Sequence, residues 1–131
     1  MVMIAQANVM TVGIRGAGQA LRELPIKVTE RRSGVEAAGS LKNEKYDSVI
    51  SMWDLEDMHS GRFLQKLKAV KPGLPVIAVI NSGDTQQEVQ ARSIGVSAVL
   101  ADSECLEILK KVLMNMLSLK PIKETVEVIE K

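Results

Sequence analysis

Residues 46–80 read YDSVISMWDLEDMHSGRFLQKLKAVKPGLPVIAVI, and this stretch decides the fold. It opens with a strand predicted over 47–52 and closes with an unbroken apolar run over 75–80, which is typical of a central parallel strand covered on both faces. Between the two, residues 61–70 carry apolar side chains at helical spacing. Those positions are Phe63, Leu64, Leu67 and Val70. Pro72 and Gly73 end the helix, so the stretch predicts a strand–helix–strand unit.

The same alternation continues towards the carboxyl terminus. Gly83 and Asp84 introduce a helix that Gly95 closes, and residues 98–100 supply a short strand. A last helix is expected from about Ser103 to Leu119. Residues 120–131 are charged and alternate weakly, which fits a helix end, a linker or a partner-binding segment equally well.

Two more strands are predicted towards the amino terminus, over 9–14 and 26–29. A glycine-rich turn and a short helix that Pro25 stops lie between them. A helix over 35–43 follows, with Val35, Ala38 and Leu41 on its inward side. Five strand–helix units in this order predict an α/β protein with a doubly wound, five-stranded parallel sheet.

Motifs in the middle of the chain resemble the receiver domain of two-component response regulators. Tyr46-Asp47 resembles the lead into the family's third strand, Met58 to Gly61 its entry to the third helix, and Lys71 to Ile77 its approach to the fourth strand. Ala91 and Gly95-Val96-Ser97 match the motif before the fifth strand. The resemblance implies a flavodoxin-like fold with strand order 2-1-3-4-5. It divides the chain into an N-terminal extension (1–8), a receiver-like domain (9–119) and a C-terminal tail or linker (120–131).

The family's phosphorylation chemistry is what the resemblance puts in doubt. Receivers hold a divalent cation with two acids that end the first strand and phosphorylate an aspartate that ends the third, because carboxylates neutralise the incoming phosphoryl group. The acid pair aligns with Gly13 and Ile14, and the phosphoacceptor with Met52. The hydroxyl residue after the fourth strand aligns with Ile80, and the phosphate-pairing lysine with Asp102. The chain therefore resembles the degenerate branch called pseudo-receivers, and no catalytic residue, metal or cofactor is expected.

Two alternatives use other residues. Asp54, two positions beyond Met52 in the cluster Asp54, Glu56, Asp57 and His59, is a candidate substitute phosphoacceptor. The turn around Gly16 and Gly18 looks like a dinucleotide-binding loop, although Leu21 stands where the fingerprint has its third glycine.

By analogy with receivers, the expected partner surface is the fourth helix, the fifth strand and the fifth helix. The residues assigned to it are Gln87, Gln90, Arg92, Val99, Leu109 and Met116. Val99 also occupies the position of the family's switch aromatic, where it would pack against Ile80. The expected function is a non-enzymatic signalling or scaffolding module that binds a signalling protein, or a second copy of itself, independently of phosphorylation.

Composition bears on the number of domains and on whether nucleic acids or membranes are partners. The chain has 131 residues, which suits one domain, and its 17 basic and 16 acidic residues do not favour nucleic acid as a partner. Cys105 is the only cysteine, and no apolar run reaches the ~20 residues of a membrane span. We therefore expect a cytoplasmic protein with no nucleic-acid or membrane partner.

Overall fold

The fold is an α/β sandwich of helices on both faces of one parallel sheet, as seen in a computed structural model that describes residues 5–119. In chain order the elements are β1 (Ala7–Val12), α1 (Ala17–Ala20), β2 (Ile26–Arg31), α2 (Gly34–Asn43), β3 (Ser48–Met52), α3 (Arg62–Val70), β4 (Val76–Ile80), α4 (Thr85–Ser93), β5 (Ala98–Ala101) and α5 (Cys105–Met116). The strand order is β2-β1-β3-β4-β5 and every pair is parallel. The predicted fold class and strand order are confirmed.

Alternate residues of the strands contribute to two separate hydrophobic cores, one on each face of the sheet. Met10, Val49 and Val76 face the layer of α2, α3 and α4, whereas their neighbours Val9 and Ile50 face α1 and α5. All of these side chains are fully buried, because both faces of a parallel sheet are covered by crossover helices. The carboxyl ends of all five strands consequently meet at one edge of the sheet, where the connecting loops lie.

Three expected boundaries are corrected by the structure. β1 begins at Ala7 and ends at Val12, so Ala7 and Asn8 belong to the sheet and not to an N-terminal extension. α1 has one turn and ends at Ala20, well before Pro25. α5 ends at Met116, before the expected end at Leu119, although Leu119 is itself buried. The tail over 120–131 lies outside the described residues.

The inward face of α2 also differs from the expected one. Gly34, Ala37 and Leu41 are the buried residues, whereas Val35 is 66% exposed. Gly34 allows this rotation, because a Cβ at that position would lie 2.6 Å from the Met58 sulfur. The helix therefore approaches the loop before α3 through its glycine, which turns Val35 outward.

Candidate functional site

Gly13 and Met52 come together at the carboxyl edge of the sheet, as their places after β1 and at the end of β3 predict. Thr11 pairs with Ile50 and Val12 with Ser51, which sets Gly13 beside Met52. A Cβ at Gly13 would lie 3.4 Å from Met52 Cγ and 2.8 Å from Leu55 Cδ2. Gly13 also has φ +73°, a conformation that side chains other than glycine rarely adopt. The space beside β1 is therefore filled by two apolar side chains.

This edge does not fit a divalent cation. Gly13 and Ile14 carry no side-chain oxygen, and the Gly13 amide donates to the Arg31 carbonyl at 2.8 Å. Ile14 packs against the core on the α1/α5 face. Mg²⁺ requires an octahedron of oxygen ligands, several of them usually carboxylates or water. Within residues 5–119, no group of three or more His, Cys, Asp or Glu side chains is placed to hold a metal ion.

Ile80 and Val99 lie one strand further along the same edge. Ile80 is 5% exposed, and the half-buried Val99 packs against the core cluster that contains it. Neither side chain has a polar atom. The pair therefore forms ordinary apolar packing between β4 and β5.

Asp102 ties together the loops that follow β4 and β5. One of its carboxylate oxygens accepts from the Ser82 hydroxyl at 2.7 Å and from the Ser82 amide at 3.1 Å. The Ser103 hydroxyl lies 2.7 Å from that of Ser82. The hydrogen bond from the Ser82 hydroxyl is the main reason that the pKa of Asp102 lies below its ordinary value. Asp102 is therefore a fixed negative charge at the edge.

Asp54 turns away from Gly13. Its Oδ1 accepts from the Ser60 amide at 2.6 Å, and its Oδ2 accepts from Gln87 Nε2 at 3.2 Å. The side chain thus joins the loop before α3 to α4 and lines a pocket of about 590 Å³ between them. The structure does not bring Asp54 to the position that Met52 occupies.

The glycine turn differs from a dinucleotide-binding loop. Gly16 has φ +79° and precedes α1, but Gly18 lies inside that single-turn helix. A Cβ at Gly18 would lie 2.9 Å from a carboxylate oxygen of Glu30. A pyrophosphate approaching this glycine would meet a negative charge, so the geometry does not favour the nucleotide hypothesis.

Asp57, which the sequence places only in the polar cluster with Asp54, Glu56 and His59, is a structural residue. Its two carboxylate oxygens accept from the amides of Gly34 and Val35, each at 2.9 Å. The bond from Gly34, followed by that from Val35, lowers the pKa of Asp57. The carboxylate therefore caps the amino terminus of α2 from a loop 23 residues away. Sequence spacing could not predict this contact, because the two partners are far apart in the chain.

The six residues assigned to one partner surface occupy three different environments. Gln87 and Gln90 line the pocket with Asp54, on the α3 side of α4. Arg92 and Val99 line a smaller cavity of about 180 Å³ on the β5 side. Leu109 is fully buried among the α1/α5 core, so its placement on a surface is wrong. Met116 is half-buried against that same core.

The sequence profile of the response regulator receiver domain matches residues 10–113. The chain belongs to this family. No curated protein sequence matches this chain significantly. None of the helices within residues 5–119 is long and apolar enough to cross a membrane.

Solved receiver structures share its fold at low sequence identity. A receiver domain protein from Methanospirillum hungatei JF-1 superposes with a TM-score of 0.76 at 18% identity, covering 86% of this chain and 94% of that one. A receiver domain protein from Clostridium thermocellum superposes with a TM-score of 0.76 at 17% identity, again covering 86% of this chain and 94% of that one. A phosphorylated cyanobacterial phytochrome response regulator gives 0.72 at 19%, covering 84% and 93%. At such identities the likeness shows the fold alone.

Proposed function

We propose that this receiver domain is a pseudo-receiver, a non-enzymatic signalling module that acts by binding proteins without being phosphorylated. The observation that carries the proposal is the packing of Met52 and Leu55 against Gly13. A methionine thioether cannot form an acyl phosphate, and the apolar contacts occupy the place where a cation-binding carboxylate would stand.

The charge distribution supports the same proposal. Asp102 stands where the family's lysine pairs with the phosphoryl group, and its hydrogen bonds with Ser82 keep it ionised. An incoming phosphoryl group would meet repulsion there instead of a counter-charge. Ile80 and Val99 offer no hydrogen bond that could transmit phosphorylation to the surface.

The proposed partner surface is the α4–β5–α5 face without Leu109, and its cavity supports this proposal. Around its cavity lie Thr85, Glu88, Arg92, Val99 and Glu104. Arg92 Nε is paired with Glu88 at 3.1 Å, so the carboxylate of Glu104 adds unpaired acidic character to the face. This favours a signalling partner that presents basic side chains. A second copy of the chain is the other proposed occupant, and the cytoplasmic location stays a prediction.

The proposal is tested by adding Mg²⁺ with beryllofluoride, a phosphoryl mimic, to the full chain and measuring its thermal unfolding. A ligand present at 100 times its Kd stabilises a fold by about 2.7 kcal/mol, so binding would raise the Tm measurably. We expect no change in Tm beyond that caused by Mg²⁺ alone. Intact mass after incubation with acetyl phosphate should show no phosphoryl adduct.

The matched control is a phosphorylatable receiver treated identically, in which Tm and mass must both rise. The variant Met52→Asp restores the phosphoacceptor without restoring the metal-binding acids, and so tests the two losses separately. Because Gly13 and Ile14 still supply no metal ligand, we expect Met52→Asp to remain unphosphorylated. Stabilisation of the unmodified chain by beryllofluoride, or an adduct abolished by Asp54→Asn, would reject the pseudo-receiver and restore Asp54 as acceptor.

A further inference from the structure

An apolar groove of about 420 Å³ runs between α2 and α3, on the side of the molecule away from α5. Its floor and walls are formed by Ala38 and Leu41 from α2 and by Phe63, Leu67 and Val70 from α3. Val70 is 76% exposed. Ala38 and Val70 are positions whose helical spacing predicts an inward side chain. The groove therefore presents to solvent apolar residues that the amphipathic pattern assigns to a core.

The rim of the groove carries only positive charge. Lys42, Lys66 and Lys71 line it, and among residues 5–119 no acidic side chain does. Lys71 Nζ lies 3.5 Å from the Leu41 carbonyl and so crosses one end of the groove. An occupant should therefore combine apolar side chains with carboxylates.

The chain itself contains a segment of that chemistry. Residues 122–130 read IKETVEVIE, in which Ile122, Val126, Val128 and Ile129 alternate with three glutamates. The glutamates are Glu124, Glu127 and Glu130. Lys123 lies in the first part of this segment, but its last five residues, 126–130, hold three apolar side chains, two glutamates and no lysine, and so match the groove in both apolar content and charge.

The reach of the tail is sufficient. α5 returns antiparallel to the strands, so Leu119 lies near their amino ends, and it packs in the same cluster as Ala7 at the start of β1. The groove ends at Leu41 and Lys71, which precede β3 and β4 and so lie at that same edge of the sheet. Seven residues from Lys120 to Val126 span up to ~24 Å when extended. Adjacent packed layers lie about 10 Å apart, so the passage from the α5 layer past the sheet edge to the α2/α3 layer is about 20 Å, which is within that length.

We propose that the segment 126–130 docks in the α2/α3 groove of its own chain, with Val126, Val128 and Ile129 between the helices and with Glu127 and Glu130 against the lysines of the rim. The groove is separate from the α4–β5–α5 face, so this inference does not depend on the pseudo-receiver proposal. Docking in cis needs little intrinsic affinity, because a short tether gives an effective concentration in the millimolar range.

The test is paramagnetic relaxation in the full chain. A nitroxide is attached at Lys131→Cys in a Cys105→Ala background, and ¹H–¹⁵N spectra are recorded with the label oxidised and reduced. We expect selective broadening of the amides of Ala38, Leu67 and Val70, which is lost in Val70→Asp and in Ile129→Asp. Val70→Asp changes an exposed site, and Ile129→Asp changes only the tail, so both variants should keep the fold. The matched control is Val89→Asp on α4, where an equally exposed valine is replaced and the broadening should persist.

The same label identifies any other occupant. Broadening that appears when ¹⁵N chain without the label is mixed with labelled ¹⁴N chain would mean that a second copy supplies the tail, and would overturn docking in cis. Uniform broadening, or broadening confined to α4 and β5, would overturn the proposal as a whole.

Discussion

Gly61 fixes the loop after β3 against Trp53, the largest fully buried side chain in the described residues. Its φ is +71°, and its amide donates to the Trp53 carbonyl at 2.9 Å. A Cβ at this position would overlap the Trp53 ring. At the scale of single residues, two independent constraints therefore require glycine here.

We predict that Gly61→Ala destabilises the domain by about 2 kcal/mol or more. A left-handed conformation costs a residue other than glycine about 1–3 kcal/mol, and overpacking the ring adds about 1–3 kcal/mol. Urea denaturation followed by Trp53 fluorescence measures the change. Gly39→Ala is the control, because that helical site has open space around it and should gain about 0.5–1 kcal/mol. Equal stabilities for the two variants would contradict this account.

Residue types at the carboxyl edge could be predicted from motif order, but their packing could not. Gly13 and Met52 stand at the positions that the order of strands assigns to them. Leu55, which closes the space between them, gave no signal because a leucine in a loop has no periodicity to place it. The prediction that Leu109 lies on the partner surface was wrong for a different reason. The helical pattern placed this residue in α5 correctly, but its exposure was assumed by analogy with other receivers.

At the scale of elements, Asp57 connects a loop to a helix that is distant in sequence. The amides of Gly34 and Val35 belong to the first turn of α2, where backbone N–H groups have no partner within the helix. Ser33 completes the cap by accepting from the Glu36 amide at 3.2 Å. The loop after β3 and the start of α2 should therefore unfold together.

We predict that Asp57→Asn lowers the Tm at pH 7 and that the difference from the unmodified chain disappears in acid. The pKa of Asp57 is lower in the folded state than its unfolded value of about 3.9. Its contribution is therefore complete above about pH 4 and is lost as pH falls through the lowered folded pKa. Thermal unfolding from pH 7 to pH 2 measures it. Glu56→Gln, in the same loop, is the control, and a Tm difference that survives at pH 2 would exclude the carboxylate as its cause.

Helix existence was predictable in this chain, whereas helix orientation was only partly so. Apolar spacing identified α2, whereas α4 was identified by Gly83, Asp84 and Gly95 at its ends, and the sequence did not correctly predict which face of either helix turns inward. In α2 the inward position moved from Val35 to Gly34, because contact with Met58 favours the smallest residue. In α4 the polar residues Gln87 and Arg92 fall on opposite sides, and a helix with so few apolar positions has no stripe that distinguishes them.

At the scale of the whole molecule, the α/β fold class followed from the alternation of strands and helices, whereas the strand order followed from the resemblance to receivers. Five apolar runs separated by helical stretches permit few topologies, because parallel crossovers are right-handed and sequential strands tend to be neighbours. The unbroken apolar run of β4 correctly predicted an interior strand covered on both faces, which lies between β3 and β5. What alternation cannot fix is the occupant of an exposed surface, since that depends on residues of another molecule.

We predict that the α4–β5–α5 face supports a weak homodimer. Arg92→Glu would reverse the only positive charge among the residues that line the cavity of this face and should lower dimer affinity about tenfold, equivalent to about 1.4 kcal/mol. Sedimentation velocity over a range of concentrations measures it. Arg62→Glu on α3 is the control, because it makes the same charge change on a different surface. A monomer at every concentration would reject the homodimer and leave a different signalling protein as the proposed partner of this face.

The contact of Leu55 with the Gly13 position has a consequence for the return of a cation-binding acid. A carboxylate at position 13 would need the Leu55 side chain to move or be replaced, and it would stand on a left-handed backbone that residues other than glycine rarely adopt. Under the proposed pseudo-receiver function, a cation-binding acid could therefore return only together with changes elsewhere at this edge.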